Sequence, residues 1–289
     1  MAAPTSTRPS TAAATAPDTV GRAGDPDVEA RLGGAPADAV AVAGPDGTIV
    51  AYEVEGSRVE LPVEVRSAAM VSATFLVDAD AAQAMIDRTG LQVVRSRRGQ
   101  ATVSLSAVQY GDNDLGPYNE IAVAVVVVPH DLAPGAKPPN GLGGEVTTYI
   151  HRLPVNQTFT RAAGRGIWGF PKWVTDISYV RHGHHTEAVL IDDGELVLGL
   201  EVRRGLIPLP ARDLHMSCYA FAGGELVRTS WVTRAKAMRG GVGGVTLSLG
   251  TTHPMAAELR ALGLPRRAAF AMTTNVMSAT FGAPEPVTR

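Results

Sequence analysis

The sequence predicts a mainly β protein (α+β), an antiparallel β-barrel or closed sandwich with a few short helices. Three observations lead there. Short runs rich in Val, Ile, Thr and Tyr recur along the chain, a composition that suits a pleated, half-buried surface. Clusters of Gly, Pro, Asn and Asp separate those runs, and these residues supply turn geometry. Helical patterns are few and short, and no repeat of about 20–50 residues is evident. Closing a sheet on itself is then the economical way to bury one of its faces.

Residues 1–35 hold Ala, Thr, Pro, Asp and Gly with almost no large apolar side chain. Such a segment cannot offset its ordering entropy by burial, so a disordered tail is expected ahead of one domain over residues 36–289. Val40–Val42 and Ile49–Tyr52 flank Gly44-Pro45-Asp46-Gly47 and read as a hairpin. Val59, Leu61, Val63 and Val65 alternate with polar residues in one strand, placed near an edge by Pro62. Val71–Val77 is the next strand. Asp78 can cap a helix over Ala81–Arg88, which Gly90 stops.

Leu91–Val94, Thr102–Tyr110 and Ile121–Val128 follow as strands. The acidic loop Gly111–Pro117 lacks calcium-loop spacing and reads as a turn. Leu132–Gly144 is a Pro- and Gly-rich excursion. Thr147–Leu153 is a strand, followed by a helix around Asn156–Ala163 and a loop from Gly164. Trp173–Val180 and Glu187–Arg203 are further strands, the second turning at Asp192-Asp193-Gly194. Leu214–Phe221 and Glu225–Val232 form a hairpin, Pro254–Leu262 a helix, and Ala268–Phe281 a last strand in which Met272 and Met277 are candidate pocket liners.

Composition narrows the function. A formal net charge of −2 and a pI near 6.4 give no electrostatic case for nucleic acid or a membrane surface. No run approaches the roughly 18 apolar residues of a membrane span, and no apolar signal core is present, so a cytoplasmic location is expected. The single cysteine, Cys218, excludes an internal disulfide framework, and its alternating context makes it a small buried hydrophobe. His182, His184 and His185 have no carboxylate or Cys partner beside them and read as a solvated turn, so no metal is expected. Gly240–Gly244 lacks a phosphate-loop pattern, and neither a Gly-x-Ser-x-Gly elbow nor a His-Glu-x-x-His motif occurs.

One lysine stands out. The chain has three lysines, Lys137, Lys172 and Lys236, among 26 Lys and Arg residues. Lys172 sits in Gly164-Arg165-Gly166-Ile167-Trp168-Gly169-Phe170-Pro171-Lys172-Trp173, among aromatic rings. Arginine stays protonated, whereas a desolvated lysine can become a nucleophilic amine that attacks a ketone and forms a Schiff base. From these residues alone, a surface lysine lying on a tryptophan remains an equal reading.

Gly164-Arg165 followed by Gly169-Phe170-Pro171-Lys172 resembles the lysine segment of the acetoacetate decarboxylase family. About fifty residues upstream, Gly116-Pro117-Tyr118-Asn119-Glu120 resembles that family's Tyr-x-Glu segment, and Val245–Leu249, His253 and the strand reaching Phe281-Gly282 resemble its C-terminal region. The likeness covers roughly residues 58–282. It implies that fold, a Schiff-base Lys172, an active-site Glu120 and a homo-oligomer. It also implies a small-molecule keto acid as substrate, with no metal or organic cofactor because the imine is the electron sink. Tyr118, His151, Arg165, Trp168, Phe170, Trp173 and Met272 are the candidate substrate-binding residues.

The chain departs from the family pattern in two places. The decarboxylase carries a second lysine after the reactive one, where this sequence has Trp173. Polar pocket residues of the decarboxylase, an arginine and a glutamate, align near Ala68–Met70 and Ser104–Leu105, which hold no such side chains; Arg66 is close. Decarboxylation of a β-keto acid, the family default, is the first expectation, although these departures weigh against acetoacetate itself. An imine-dependent aldolase, dehydratase or cyclase on a larger oxo substrate is the second, and a noncatalytic small-ligand-binding barrel the third.

Overall fold

Turn chemistry starts the fold. Asp46 Oδ1 accepts from the Thr48 amide at 3.0 Å and Gly47 takes a φ of +83°, joining β1 (Ala39–Ala43) to β2 (Ile49–Val54). With β3 (Ser57–Glu60) they form a three-stranded antiparallel sheet. The single strand expected over Val59–Val65 is two. Pro62 has no N–H for a ladder, so the chain leaves this sheet after β3 and enters the main one as β4 (Val63–Asp78). The computed structural model describes residues 38–132 and 145–287; the expected tail, residues 133–144 of the excursion, and Lys137 lie outside the described residues.

The other strands are β5 (Gln100–Tyr110), β6 (Tyr118–Val126), β7 (Val146–Arg152), β8 (Asp176–His182), β9 (His185–Asp192), β10 (Glu195–Arg203), β11 (Ile207–Pro208), β12 (Asp213–Ala222), β13 (Glu225–Lys236), β14 (Arg239–Gly241), β15 (Val245–Leu249) and β16 (Phe270–Pro286). Seven of them close a barrel in the order β16-β13-β12-β7-β6-β5-β4, with β4 pairing back onto β16. Its pairs are antiparallel except β7 with β12. Strands β15-β10-β9-β8 form a separate sheet. The fold is mainly β, as the sequence predicts.

Two buried clusters follow from the period-two alternation of side chains. One takes residues from every barrel strand, among them Ala68, Val108, Tyr118, Ile150, Cys218, Ala235 and Met277. Only the inside of the ring is common to all seven strands, so this cluster is the barrel interior. The other takes the opposite face of β4–β6, for example Phe75, Leu105 and Ile121, against Leu190, Leu198 and Leu200 of the second sheet.

Among the described residues, three short α-helices complete the architecture. Asp78 Oδ1 caps α1 (Ala79–Ile86) through the amides of Asp80 and Ala81, both at 2.9 Å. Gln157 Oε1 caps α2 (Thr158–Trp168) through the Thr160 amide at 2.6 Å, and His253 Nδ1 accepts from Met255 to cap α3 (Pro254–Ala261). No helix among the described residues is long and apolar enough to cross a membrane.

Leu91–Val94 is not a regular strand. Val93 makes an isolated bridge to Val127, and the Gln83 side chain occupies the other edge, donating to Leu91 O and accepting from the Val93 amide, both at 3.0 Å. A side-chain amide there does the work of a neighbouring strand. The lysine loop also differs: Gly164–Trp168 is the end of α2, and the loop begins at Gly169, whose left-handed φ of +68° ends the helix.

Candidate active site

Lys172 and Glu120 meet because the lysine loop is stitched to β6 through residues 153–155. The Leu153 amide donates to Pro171 O, Val155 to Trp173 O and Ile121 to Pro154 O. Val155 thereby bridges Glu120 on one side and Val174 on the other. Pro171 is the centre of a tight turn in which the Lys172 amide donates to Phe170 O at 2.7 Å. Glu120 shares strand parity with Tyr118 and Ala124, so it faces the barrel interior.

The result is a buried ion pair, Lys172 Nζ to Glu120 Oε2 at 2.8 Å, with the two residues 3% and 7% exposed. Lys172 Nζ also lies 3.5 Å from Thr160 Oγ1 and 5.1 Å from the centroid of the Tyr118 ring. Tyr110 donates its hydroxyl to Glu120 Oε1 at 3.2 Å and stacks on Tyr118 with ring centroids 4.3 Å apart. Burial first, then the Glu120 charge, pushes both phenols well above the usual tyrosine range, so they remain protonated donors. Of the two readings the sequence leaves open for Lys172, the structure gives the buried one, and it brings the expected Glu120 carboxylate into direct contact. The 2.8 Å contact is a path along which a proton can pass between the two side chains.

The lysine stem crosses α2 at Gly164. A Cβ there would stand 2.5 Å from Lys172 Cδ and 2.7 Å from Cε, so this helical position has no room for a side chain. Gly164→Ala gains about 1 kcal/mol of helix propensity and sets it against overpacking of about 1–3 kcal/mol. The net is a loss of about 0–2 kcal/mol, while displacement of the amine should slow adduct formation on the order of 10²-fold. Melting curves paired with single-turnover adduct formation measure both. An unchanged rate would mean that the stem is not positioned by this helix.

The candidate substrate-binding residues do not share one place. Tyr118, Trp168 and Phe170 lie in the interior cluster with Tyr110; Trp168 stacks on Phe170 at 5.8 Å, and its Nε1 donates to Gly282 O at 2.9 Å. Trp173 does not join them. Its neighbour in sequence points inward, so its own ring packs against the outer cluster, and Nε1 donates to Asp192 Oδ2 at 3.2 Å. Arg165 lies 3.5 Å from Asp38, on the side of α2 that meets β1. Met272 pairs across the sheet with Ser72 and belongs to neither cluster, whereas Met277 lies in the interior one.

His151 shares parity with Tyr149 on the outer face of β7, opposite Ile150. Its Nε2 meets Glu258 Oε2 at 2.9 Å, and Arg152 holds the other oxygen. Burial pushes the His151 imidazole down, more strongly than Glu258 pulls it up, so the neutral ring donates from Nε2 to a carboxylate. Burial also works to raise Glu258, but His151 and Arg152 together outweigh it and hold the carboxyl below its ordinary range. Both groups are depressed in the folded state, so their contribution is present at high pH and lost on acidification. Thermal stability should hold above pH 6.5, fall below it as His151 is forced to charge, and fall further below pH 4.5 with Glu258. His151→Gln should flatten the first step; a melting temperature that rises from pH 7 to 5.5 would contradict this.

Cys218 is buried in the interior cluster, and burial followed by the Glu120 charge pushes its thiol far up, so it is no nucleophile. His185 pairs with Glu201 at 2.6 Å on the exposed surface, and the described residues hold no three-ligand metal cluster. Tyr110 and Thr160 are the site residues that sequence reasoning missed. The signals were two tyrosines flanking the Gly111–Pro117 turn, which pair in register as Tyr110 with Tyr118, and a threonine one helical turn before Gly164.

A family model, acetoacetate decarboxylase (ADC), matches residues 50–284. The chain belongs to the acetoacetate decarboxylase family. Solved structures of similar fold include an acetoacetate decarboxylase from Legionella pneumophila, with a TM-score of 0.59 at 15% identity, covering 78% of this chain and 87% of that one. The enduracididine biosynthesis enzyme MppR, complexed with the condensation product of pyruvate and imidazole 4-carboxaldehyde, gives 0.55 at 15% identity over 78% and 88% of the two chains. An acetoacetate decarboxylase-like enzyme from Sphingomonas wittichii RW1 gives 0.52 at 16% identity over 86% and 100%. No curated protein matched the sequence. Family membership supports an enzyme of the ADC-like class.

Proposed function

We propose that the protein is a Schiff-base-forming lyase that decarboxylates a β-keto acid through Lys172, with Glu120 moving the proton. The observation that carries this reading is the buried Lys172–Glu120 contact of 2.8 Å in a chain of this family. Glu120 takes a proton from the ammonium, and the free amine attacks the keto carbon. Loss of water gives a protonated imine. The bond from the α-carbon to the carboxylate then breaks, carbon dioxide leaves, and the electron pair moves into the imine to form an enamine. Protonation at carbon and hydrolysis release the ketone and restore Lys172. No metal or organic cofactor is required, since the imine accepts the electron pair. A homo-oligomer in the cytoplasm belongs to the same proposal.

A second reading uses the same imine for an aldol, dehydration or cyclisation step on a larger oxo substrate. It is favoured by Trp173, whose ring packs outward and brings no second cation to Lys172. The two are separated by product analysis. Acetoacetate and longer β-keto acids should release carbon dioxide and the matching ketone. Condensation products from pyruvate and an aldehyde, with no carbon dioxide from any β-keto acid, would establish the second reading instead.

A further inference from the structure

A cleft of about 500 Å³ opens where β5 ends and β6 begins, beside Ser67–Ala69 of β4, and Tyr110 and Tyr118 are among its lining residues. The same two rings touch the ion pair from the other side, Tyr110 through its hydrogen bond to Glu120 and Tyr118 under Lys172 Nζ. The cleft and the buried pair are thus separated by one stacked pair of phenols, and an oxo group reaching Lys172 from this side passes them.

The rest of the cleft has a defined polarity. Arg181 of β8 is the one charged residue in its lining, which also carries the side-chain amides of Gln109, Asn119, Asn156 and Asn275 and no carboxylate. Arg181 pairs with no carboxylate among the described residues. The two acids of the adjoining loop, Asp112 and Asp114, are held by Arg66 at 2.9 and 2.6 Å. Asn119 fixes β8 to the barrel mouth by donating from Nδ2 to Ile177 O at 3.0 Å, and its own amide donates to Asn156 Oδ1 at 2.7 Å. The guanidinium therefore stands on a strand anchored to the site, facing hydrogen-bonding groups with no competing negative charge in the lining. Such a fork pairs well with a carboxylate. The volume is that of pockets holding ligands well beyond four carbons, roughly 300–1,000 Å³.

We propose that this cleft is the specificity site for the substrate's far end, and that Arg181 binds a carboxylate remote from the carbonyl that reaches Lys172. The substrate class is then an extended oxo acid rather than a minimal β-keto acid. The proposal rests on the imine reading only for the identity of the reacting end; carboxylate capture by Arg181 stands apart from it.

The test uses glutarate, a five-carbon dicarboxylate with no carbonyl, and its dimethyl ester, titrated calorimetrically into the full chain and into Arg181→Gln and Arg181→Lys. Glutarate should bind the wild type. Arg181→Gln should weaken it about tenfold or more, the loss of one charge-assisted pair, while Arg181→Lys recovers part and the melting temperature stays unchanged. The ester should respond to neither substitution. Glutarate that fails to bind the wild type, or binds Arg181→Gln equally well, overturns the proposal. Borohydride trapping with 2-oxoglutarate on the same preparations reads the imine separately. Arg181-dependent glutarate binding with no Lys172 adduct from 2-oxoglutarate, acetoacetate or any longer oxo acid would defeat the imine reading and leave the carboxylate site standing.

Discussion

Lys172→Met should abolish keto-acid turnover and also destabilise the fold by about 3–5 kcal/mol near neutral pH, because it strands the Glu120 carboxylate in the barrel interior. Neither effect stands for the other. The turnover loss follows from removing the only amine at the site among the described residues. The stability loss follows from burial, since both residues of the pair are more than nine-tenths enclosed. Acidification should relieve it, because a protonated Glu120 no longer needs a counter-charge. The double variant Lys172→Met/Glu120→Gln removes both charges and should match or exceed the wild type by about 1–4 kcal/mol, as when a buried ion pair gives way to neutral side chains. Denaturant titrations of the four proteins complete the cycle. Single and double variants all lying within about 1 kcal/mol of the wild type would show that the pair is solvated in solution, and the buried-amine account would fail with it.

Glu120→Gln should lower turnover by about 10²–10⁴-fold, the usual contribution of a positioned proton-transfer group. The substitution keeps an oxygen for the Tyr110 hydroxyl, so geometry is largely retained. An ammonium buried without a counter-charge favours its neutral form, so attack on the carbonyl should still proceed. What suffers is proton delivery during loss of water from the addition product and during protonation at carbon. The variant should therefore still yield a trappable adduct and accumulate it in the steady state. Turnover within threefold of wild type would assign the proton transfer to another group.

The reach of the sequence differed by kind of signal. Local chemistry was legible. The Asp46–Gly47 and Asp193–Gly194 turns and the Asp78 cap depend on neighbouring residues and stand where turn and capping residues place them. Lys172 and Glu120 were legible through short motifs, and the structure brings them into contact. Longer-range features were not. The face that His151, Trp173 and Met272 present is decided by strand parity and bulges set elsewhere; β16 shifts register twice between Thr274 and Ala279, so parity cannot be carried from Met277 back to Met272 by counting. Gln83 standing in for a strand edge at Val93 depends on a contact ten residues apart in sequence, and no pattern of apolar residues reports it. Tyr110 reaches Glu120 through the β5–β6 register, and Thr160 reaches the amine only once α2 is seated on the barrel end.

Imine formation at Lys172 is read by reductive trapping mapped to a residue. The full chain would be incubated with acetoacetate, pyruvate and longer oxo acids, reduced with borohydride, digested, and read by peptide mass spectrometry. The account predicts a substrate-dependent mass increase on the peptide containing Lys172, absent in Lys172→Met, with longer oxo acids trapped at lower concentration than acetoacetate. An adduct confined to Lys236 or the N-terminus, or none on Lys172 with any oxo acid while the amine titrates as an ordinary exposed lysine, would contradict it and leave a ligand-binding barrel.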